Sequence, residues 1–198
     1  MTRSSERGQK TKLKMTRAAM DLFHAQGVRA TSPQDVIAKT GTGKSQFYHY
    51  FGSKEGLVHE TLLYFYGELC EGGFNNRPIT TWKDLENWFQ FFVEGQKHYA
   101  CQRGCPIGTI GYELAPGQEL IRQDVNAIFN KFMANLIRFF NHLKAQKKLS
   151  ATADPEELAQ FCFVTLQGGL LVSKVQRNSQ PLEAAVKHAL VHLKSLRV

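Results

Sequence analysis

The octapeptide KSQFYHYF at positions 44 to 51 concentrates polar chemistry on a short segment: Lys44, Ser45, Gln46, Tyr48 and His49. An ammonium, a hydroxyl, a carboxamide, a phenol and an imidazole on one short helix can meet phosphate oxygens and base edges. They make a poor core and a good duplex-facing surface. The expected partner is therefore double-stranded DNA, with the helix lying in the major groove.

The same residues permit a rival reading. AKTGTGKS (38 to 45) is a near match to a phosphate-binding loop, with Lys44 on phosphate and Ser45 on magnesium. Such a loop must follow a buried strand and open a long helix. Here SPQDVI reads as a capped helix, and Gly52 breaks the next helix after about two turns. No Ser/His/Asp set and no paired carboxylates in a defined site are evident. The expectation is a non-enzyme with no catalytic residues, no metal and no cofactor.

A third chemical cluster is CQRGCPIG (101 to 108), with Cys101 and Cys105 close to His98. Three readings compete: plain thiols in a tight corner, a reactive thiol whose anion Arg103 and Lys97 favour, or a zinc site from His98, Cys101 and Cys105 that lacks an evident fourth ligand. Cys162 lies in the most apolar segment and reads as core, and Cys70 sits at a helix end.

Charge agrees with a polyanionic partner. Residues 1 to 60 hold ten Lys/Arg against five Asp/Glu, whereas the other 138 hold fifteen against twelve. Positive potential is thus concentrated around the candidate helix. There is no apolar signal region, and no run of about 18 apolar residues to suggest a membrane span. Four cysteines among 198 residues do not make a disulfide scaffold, so a cytoplasmic location with reduced thiols is expected.

Helical periodicity positions these groups. Residues 1 to 8 are polar and expected to fray. Met15, Ala18, Ala19, Leu22 and Phe23 form one apolar face of a helix from 9 to 26, which Gly27 stops. Ser32 caps a short helix with Pro33 first and Asp35 third. A third helix covers 44 to 51, and Ser53 caps a fourth from Lys54 to about 70. After the turn formers of 72 to 81, Thr81 starts a helix with a Leu85, Trp88, Phe89, Phe92, Val93 stripe. A short helix ends near Leu114, a long one runs from 118 to about 147, and Asp154 caps a nearly all-apolar one to Gln176. Pro181 opens the last. The fold class is all-α with about nine helices, the N-terminal ones forming a helix-turn-helix and the rest a helical domain.

KSQFYHYFGSKEGLV is similar to the K-x-x-[LF]-Y-x-[HY]-F-x-[ST]-K-E-x-L signature of the TetR family of transcriptional regulators. MTRAAMDLFHAQGVRATS resembles that family's first helix and following turn. RGCPIGTIGYEL and LQGGLLVSKVQRN resemble one branch of its ligand-binding domains. Ile37 and Gly43 depart from the pattern, which often has a small residue at the first position and a capping Ser or Thr at the second.

The resemblance implies a DNA-binding domain at 1 to 55, a fourth helix reaching about residue 71, and an effector-binding and dimerisation domain at 72 to 198. It implies a homodimer on a palindromic operator, most often a repressor, released by an unknown small-molecule or thiol-reactive effector. Lys44, Ser45, Gln46, Tyr48 and His49 fall at groove-facing positions. Lys54, Thr31 and Ser32 fall where the backbone is met, and Thr42 belongs with the DNA-binding set. Phe47 and Phe51 fall inward. Some relatives in this branch have a sensing cysteine at the position of Cys105. Trp88, Phe92, Tyr112, Phe129, Phe132, Phe163 and Gln167 are candidates to line an effector pocket, with Cys105 beside them. The helices at about 155 to 176 and 182 to 196 are the expected dimer surface, where Gly168 and Gly169 permit close approach. No membrane partner is expected.

Overall fold

The computed structural model describes residues 3–198, with side chains from Glu6 onward. The described residues form nine helices: α1 (Arg3–Gln26), α2 (Pro33–Thr40), α3 (Lys44–Phe51), α4 (Lys54–Cys70), α5 (Trp82–His98), α6 (Pro106–Tyr112), α7 (Glu119–Ala145), α8 (Pro155–Gln176) and α9 (Gln180–Ser195). Extended pairing among them is limited to one isolated bridge, Leu149 to Arg197. The all-α expectation is met, and the phosphate-loop reading loses the strand it requires.

Local signals explain most boundaries. Ser32 Oγ accepts from the Asp35 N–H at 3.2 Å while Asp35 Oδ2 accepts from the Ser32 N–H at 2.7 Å, a reciprocal cap on α2. Thr81 and Asp84 repeat the device on α5. Gly41 (φ 61°) ends α2 in the left-handed region where glycine has no Cβ penalty. The expected fraying of residues 1 to 8 is corrected: residues 1 and 2 lie outside the described part, and helix begins at Arg3. Periodicity could not show this, because the added turns carry no apolar stripe.

The chain forms two compact units. The first joins Met1–Gly67 with Pro106–Ile128, and the second joins Glu68–Cys105 with Phe129–Val198. In the first, Met15, Ala19 and Phe23 of α1, Val36 of α2, Phe47 of α3, and Leu57 and Leu62 of α4 are buried. The second has a continuous apolar core of α5, the later part of α7, α8 and α9, centred on Trp88, Phe89, Phe139, Phe140, Cys162 and Leu166. Asn135, buried on α7, donates to Asn76 Oδ1 at 2.7 Å and pins the connector that precedes α5.

Two expectations about α8 change. By length and composition this helix is apolar enough to cross a membrane. Counting only uninterrupted apolar residues missed that, since Thr165, Gln167 and Ser173 interrupt the run without adding charge. It packs against α9 and α5. Gly169 serves that packing within the chain: a Cβ there would lie 2.6 Å from Leu182 Cδ1 of α9. Gly168 is exposed, and a Cβ at that position would meet nothing within 4 Å.

Candidate DNA-reading surface and effector pocket

α3 is oriented by two rings. Phe47 is fully buried and Phe51 is 7% exposed, their ring centroids 5.3 Å apart. A helix anchored at i and i+4 turns its other residues outward. Lys44, Ser45, Gln46 and His49 are accordingly exposed, and Tyr48 is 45% exposed despite its edge contact with Phe47. The five groove-facing candidates therefore share one accessible helix.

Gly43 stands at the N-cap of α3 with no side chain to offer. Gln46 supplies the missing half: its Oε1 accepts the Gly43 N–H at 3.0 Å. That leaves its Nε2 hydrogens as the donors free to point outward. This capping duty is not among the sequence-based expectations for Gln46, which place it with the other groove-facing residues, although a Gln three residues after a side-chain-free N-cap is the signal for it.

The flanking candidates differ among themselves. Ser32 is half-buried and engaged with Asp35, which holds the Asp35 carboxyl below its ordinary value through backbone and side-chain hydrogen bonds. Thr31 is corrected from the surface to the interior. It is 1% exposed, and its hydroxyl donates to Gly27 O at 2.7 Å, because the α1–α2 turn needs that carbonyl satisfied. Thr42 shares a hydrogen bond with Thr40 at 2.7 Å. Lys54 Nζ donates to Arg29 O at 3.3 Å and keeps two further hydrogens.

That α1–α2 turn has a partner no local pattern revealed. Glu113, just past α6, accepts the Arg29 N–H at 2.6 Å. Gly27 (φ 86°) lies against the same carboxylate: a Cβ there would stand 2.1 Å from Glu113 Oε1. A cavity of about 310 Å³ lies beside this latch, lined by Arg29, Lys54, Val58, Ile110, Glu113 and Gln118 among others.

Six of the effector-pocket candidates come together in the second unit. Trp88 sits edge-on to Phe92 at 5.2 Å, Phe92 to Phe132 at 6.3 Å, and Phe163 touches both Phe132 (6.3 Å) and Phe129 (4.9 Å). Gln167 Nε2 donates to Cys105 Sγ at 3.5 Å, at the half-buried end of the 101–105 corner. Tyr112 falls in the first unit and is 65% exposed. Cys101 is 5% exposed in a left-handed backbone (φ 54°), and Cys162 is fully buried, where desolvation pushes its thiol up. Lys97 is paired with Glu183 at 3.1 Å rather than with a thiol, and Arg103 lies over the Tyr99 ring at 4.6 Å. Among the described residues no three His, Cys, Asp or Glu side chains converge on a metal position.

Comparison with known proteins agrees with this layout. Residues 16–61 match the model for bacterial regulatory proteins of the tetR family, and residues 82–189 match the tetracyclin repressor-like C-terminal domain. The transcriptional repressor DhaR of Mycobacterium sp. (strain GP1) is 26% identical over 168 residues, 82% of this chain and 81% of that protein. A TetR transcriptional regulator from Chloroflexus aurantiacus has a similar fold (TM-score 0.80, 22% identity, 97% of this chain and 98% of that one). So does the reduced form of Escherichia coli NemR (TM-score 0.75, 20% identity, 95% and 97%).

Proposed function

The chain belongs to the TetR family of bacterial transcriptional regulators, a DNA-binding and non-enzymatic class, and we propose on that premise that it is a repressor. Two copies pair, place their α3 helices in successive major grooves of a palindromic operator, and let go when an effector binds the C-terminal part. The observation that carries this reading is the exposed row Lys44, Ser45, Gln46, Tyr48 and His49 over the buried Phe47 and Phe51. Residues 1 to 55 would read DNA, and 72 to 198 would bind effector and partner copy. The repressor role of the Mycobacterium relative favours repression.

The partner surface is α8 with α9. Phe161, Val164, Leu171, Val172, Val175 and Val191 are exposed, from 39% to 74%. Paired about a two-fold axis, the helices would bury them in a four-helix interface. A second copy, rather than lipid, is the occupant we assign, in keeping with a cytoplasmic regulator whose α9 packs along α8.

The effector site is the aromatic cluster from Trp88 to Phe163, with Gln167 and Cys105 at its edge. Trp88 Nε1 and Gln96 Oε1, both buried, have no hydrogen-bond partner among the described residues. Leaving such atoms unpaired is costly, and a ligand that pairs them gains that free energy. Cys105 gives a thiol-reactive effector a point of attack. Release needs only that the effector bind the wrongly spaced conformation more tightly than the operator-bound one.

Selection of bound duplexes from a random pool, repeated with candidate effectors, tests the whole reading. A palindromic winner lost on effector addition is the expected result. Binding with no sequence preference, or by a monomer to a single half-site, would overturn it.

A further inference from the structure

α1 carries a cationic stripe. Arg7, Lys10, Lys14 and Arg17 recur at steps of three, four and three, which puts them on one face of the helix. Two of the four are tied down within the fold: Lys14 Nζ donates to Thr40 O at 2.6 Å, and Arg17 Nε donates to Tyr64 Oη at 2.9 Å. Other cations nearby are paired, Lys12 with Glu60 at 2.7 Å and Lys39 with Asp21. Arg7 and Lys10 are exposed and have no carboxylate within 4 Å among the described residues, although Glu6 shares their turn.

That arrangement works against the helix itself. Like charges three residues apart on a helix repel. An anion beside them removes that penalty. The position of the stripe says which anion. Gly8 lies against α3, where a Cβ would stand 3.5 Å from Tyr50 Oη, and Lys14 holds the last residue of α2. On α3, Tyr50 is four residues after Gln46 and shares its flank. The first turns of α1 therefore run beside the Gln46 edge of the reading helix. Arg7 and Lys10 lie before the segment that matches the family model, which begins at residue 16.

We infer that the N-terminal turns of α1 are a second duplex-contacting surface, with Arg7 and Lys10 each meeting a backbone phosphate beside the groove that α3 enters. The inference rests on the proposal that α3 reads the groove. These contacts add affinity and register without reading sequence.

The test is the salt dependence of operator binding by the full chain, using the duplex selected above. Each phosphate contact contributes about 0.9 to the slope of log affinity against log salt. Arg7→Gln with Lys10→Gln should lower the slope by about 1.8 per protomer, so between 50 and 200 mM salt the advantage of the unaltered protein shrinks about twelvefold per protomer. Base preferences should not change, and a hydroxyl-radical footprint should lose its outermost protected sugars. Arg7→Lys with Lys10→Arg should restore slope and footprint, which a merely unfolded α1 would not explain. An unchanged slope and footprint in the glutamine variant would overturn the inference, as would failure of the charge-retaining variant to restore them. Gln46→Ala run in parallel separates the two claims: if it still alters base preference, α3 is the reader and only the α1 surface falls; if it does not, the underlying reading falls as well.

Discussion

Exchanging Gln46 for Glu separates two duties that one side chain performs. Gln46 Oε1 caps α3 by accepting the Gly43 N–H at 3.0 Å, and only its Nε2 hydrogens remain to meet a base. Glutamate keeps an acceptor oxygen at the same reach and adds negative charge at a helix N-terminus, worth about 0.3–1 kcal/mol. It removes both donors, and a good base contact is worth about 1–3 kcal/mol of discrimination, or about 5- to 150-fold per half-site. Alanine would remove cap and base contact together, at about 0.5–2 kcal/mol of stability for the cap. Thermal unfolding and fluorescence anisotropy on the operator and its single base-pair variants measure the two effects apart. We expect Gln46→Glu to melt no lower than the parent, to bind the operator more weakly, and to lose its preference at one base-pair position per half-site. Uniform weakening with every base preference intact would show that the carboxamide does not reach a base. Melting as low as that of Gln46→Ala would show that the oxygen is not the cap.

Glu113→Gln should cost about 1 kcal/mol in urea unfolding, because the Arg29 N–H loses its charged acceptor at 2.6 Å; an unchanged midpoint would deny the latch any part in stability. Val164→Glu with Val175→Glu, at the two most exposed apolar positions of α8, should leave a folded monomer in sedimentation velocity with little operator affinity, and a persisting dimer would place the interface elsewhere. Cys105→Ser should bind the operator normally yet stay bound after N-ethylmaleimide, whereas release at the parental rate would end the thiol reading. Hydrogen bonds from Thr80 and Thr81 lower the Asp84 carboxyl from 3.8 to about 2. A depressed folded-state value means the stabilisation is present above about pH 4 and lost as pH falls toward about 2. Asp84→Asn should therefore flatten the fall in melting temperature over that interval, and parallel curves would show that this cap does not contribute to acid lability.

What could be read from the sequence was what nearest neighbours decide. Ser32, Pro33 and Asp35 announce α2 within four residues, and Gly41 and Gly52 end two helices where left-handed backbone is needed. The Phe47–Phe51 pair announces which side of α3 faces out. Other features are decided at a distance. Thr31 could have faced solvent, but a carbonyl freed by the end of α1 takes its hydroxyl. Gly169 looked like a contact between copies, yet Leu182 of the same chain occupies the space a side chain would fill. Nor does spacing show that the chain returns Tyr112 to the first unit. The stripe from Arg7 to Arg17 was legible by spacing alone, but its significance depends on Lys14 and Gly8 lying against α2 and α3.

The latch between Arg29 and Glu113 joins residues 84 positions apart. A ribosome adding about 5–20 residues per second needs roughly 4 to 17 seconds to travel from one to the other. During that interval α1 and the two short helices after it leave the exit tunnel without the carboxylate that accepts from the turn between α1 and α2. The N-terminal part therefore gains this contact, worth about 1 kcal/mol, only after more than half of the chain has been made. Stop codons soon after residue 67 would yield fragments that contain every groove-facing side chain and lack the acceptor of the Arg29 N–H.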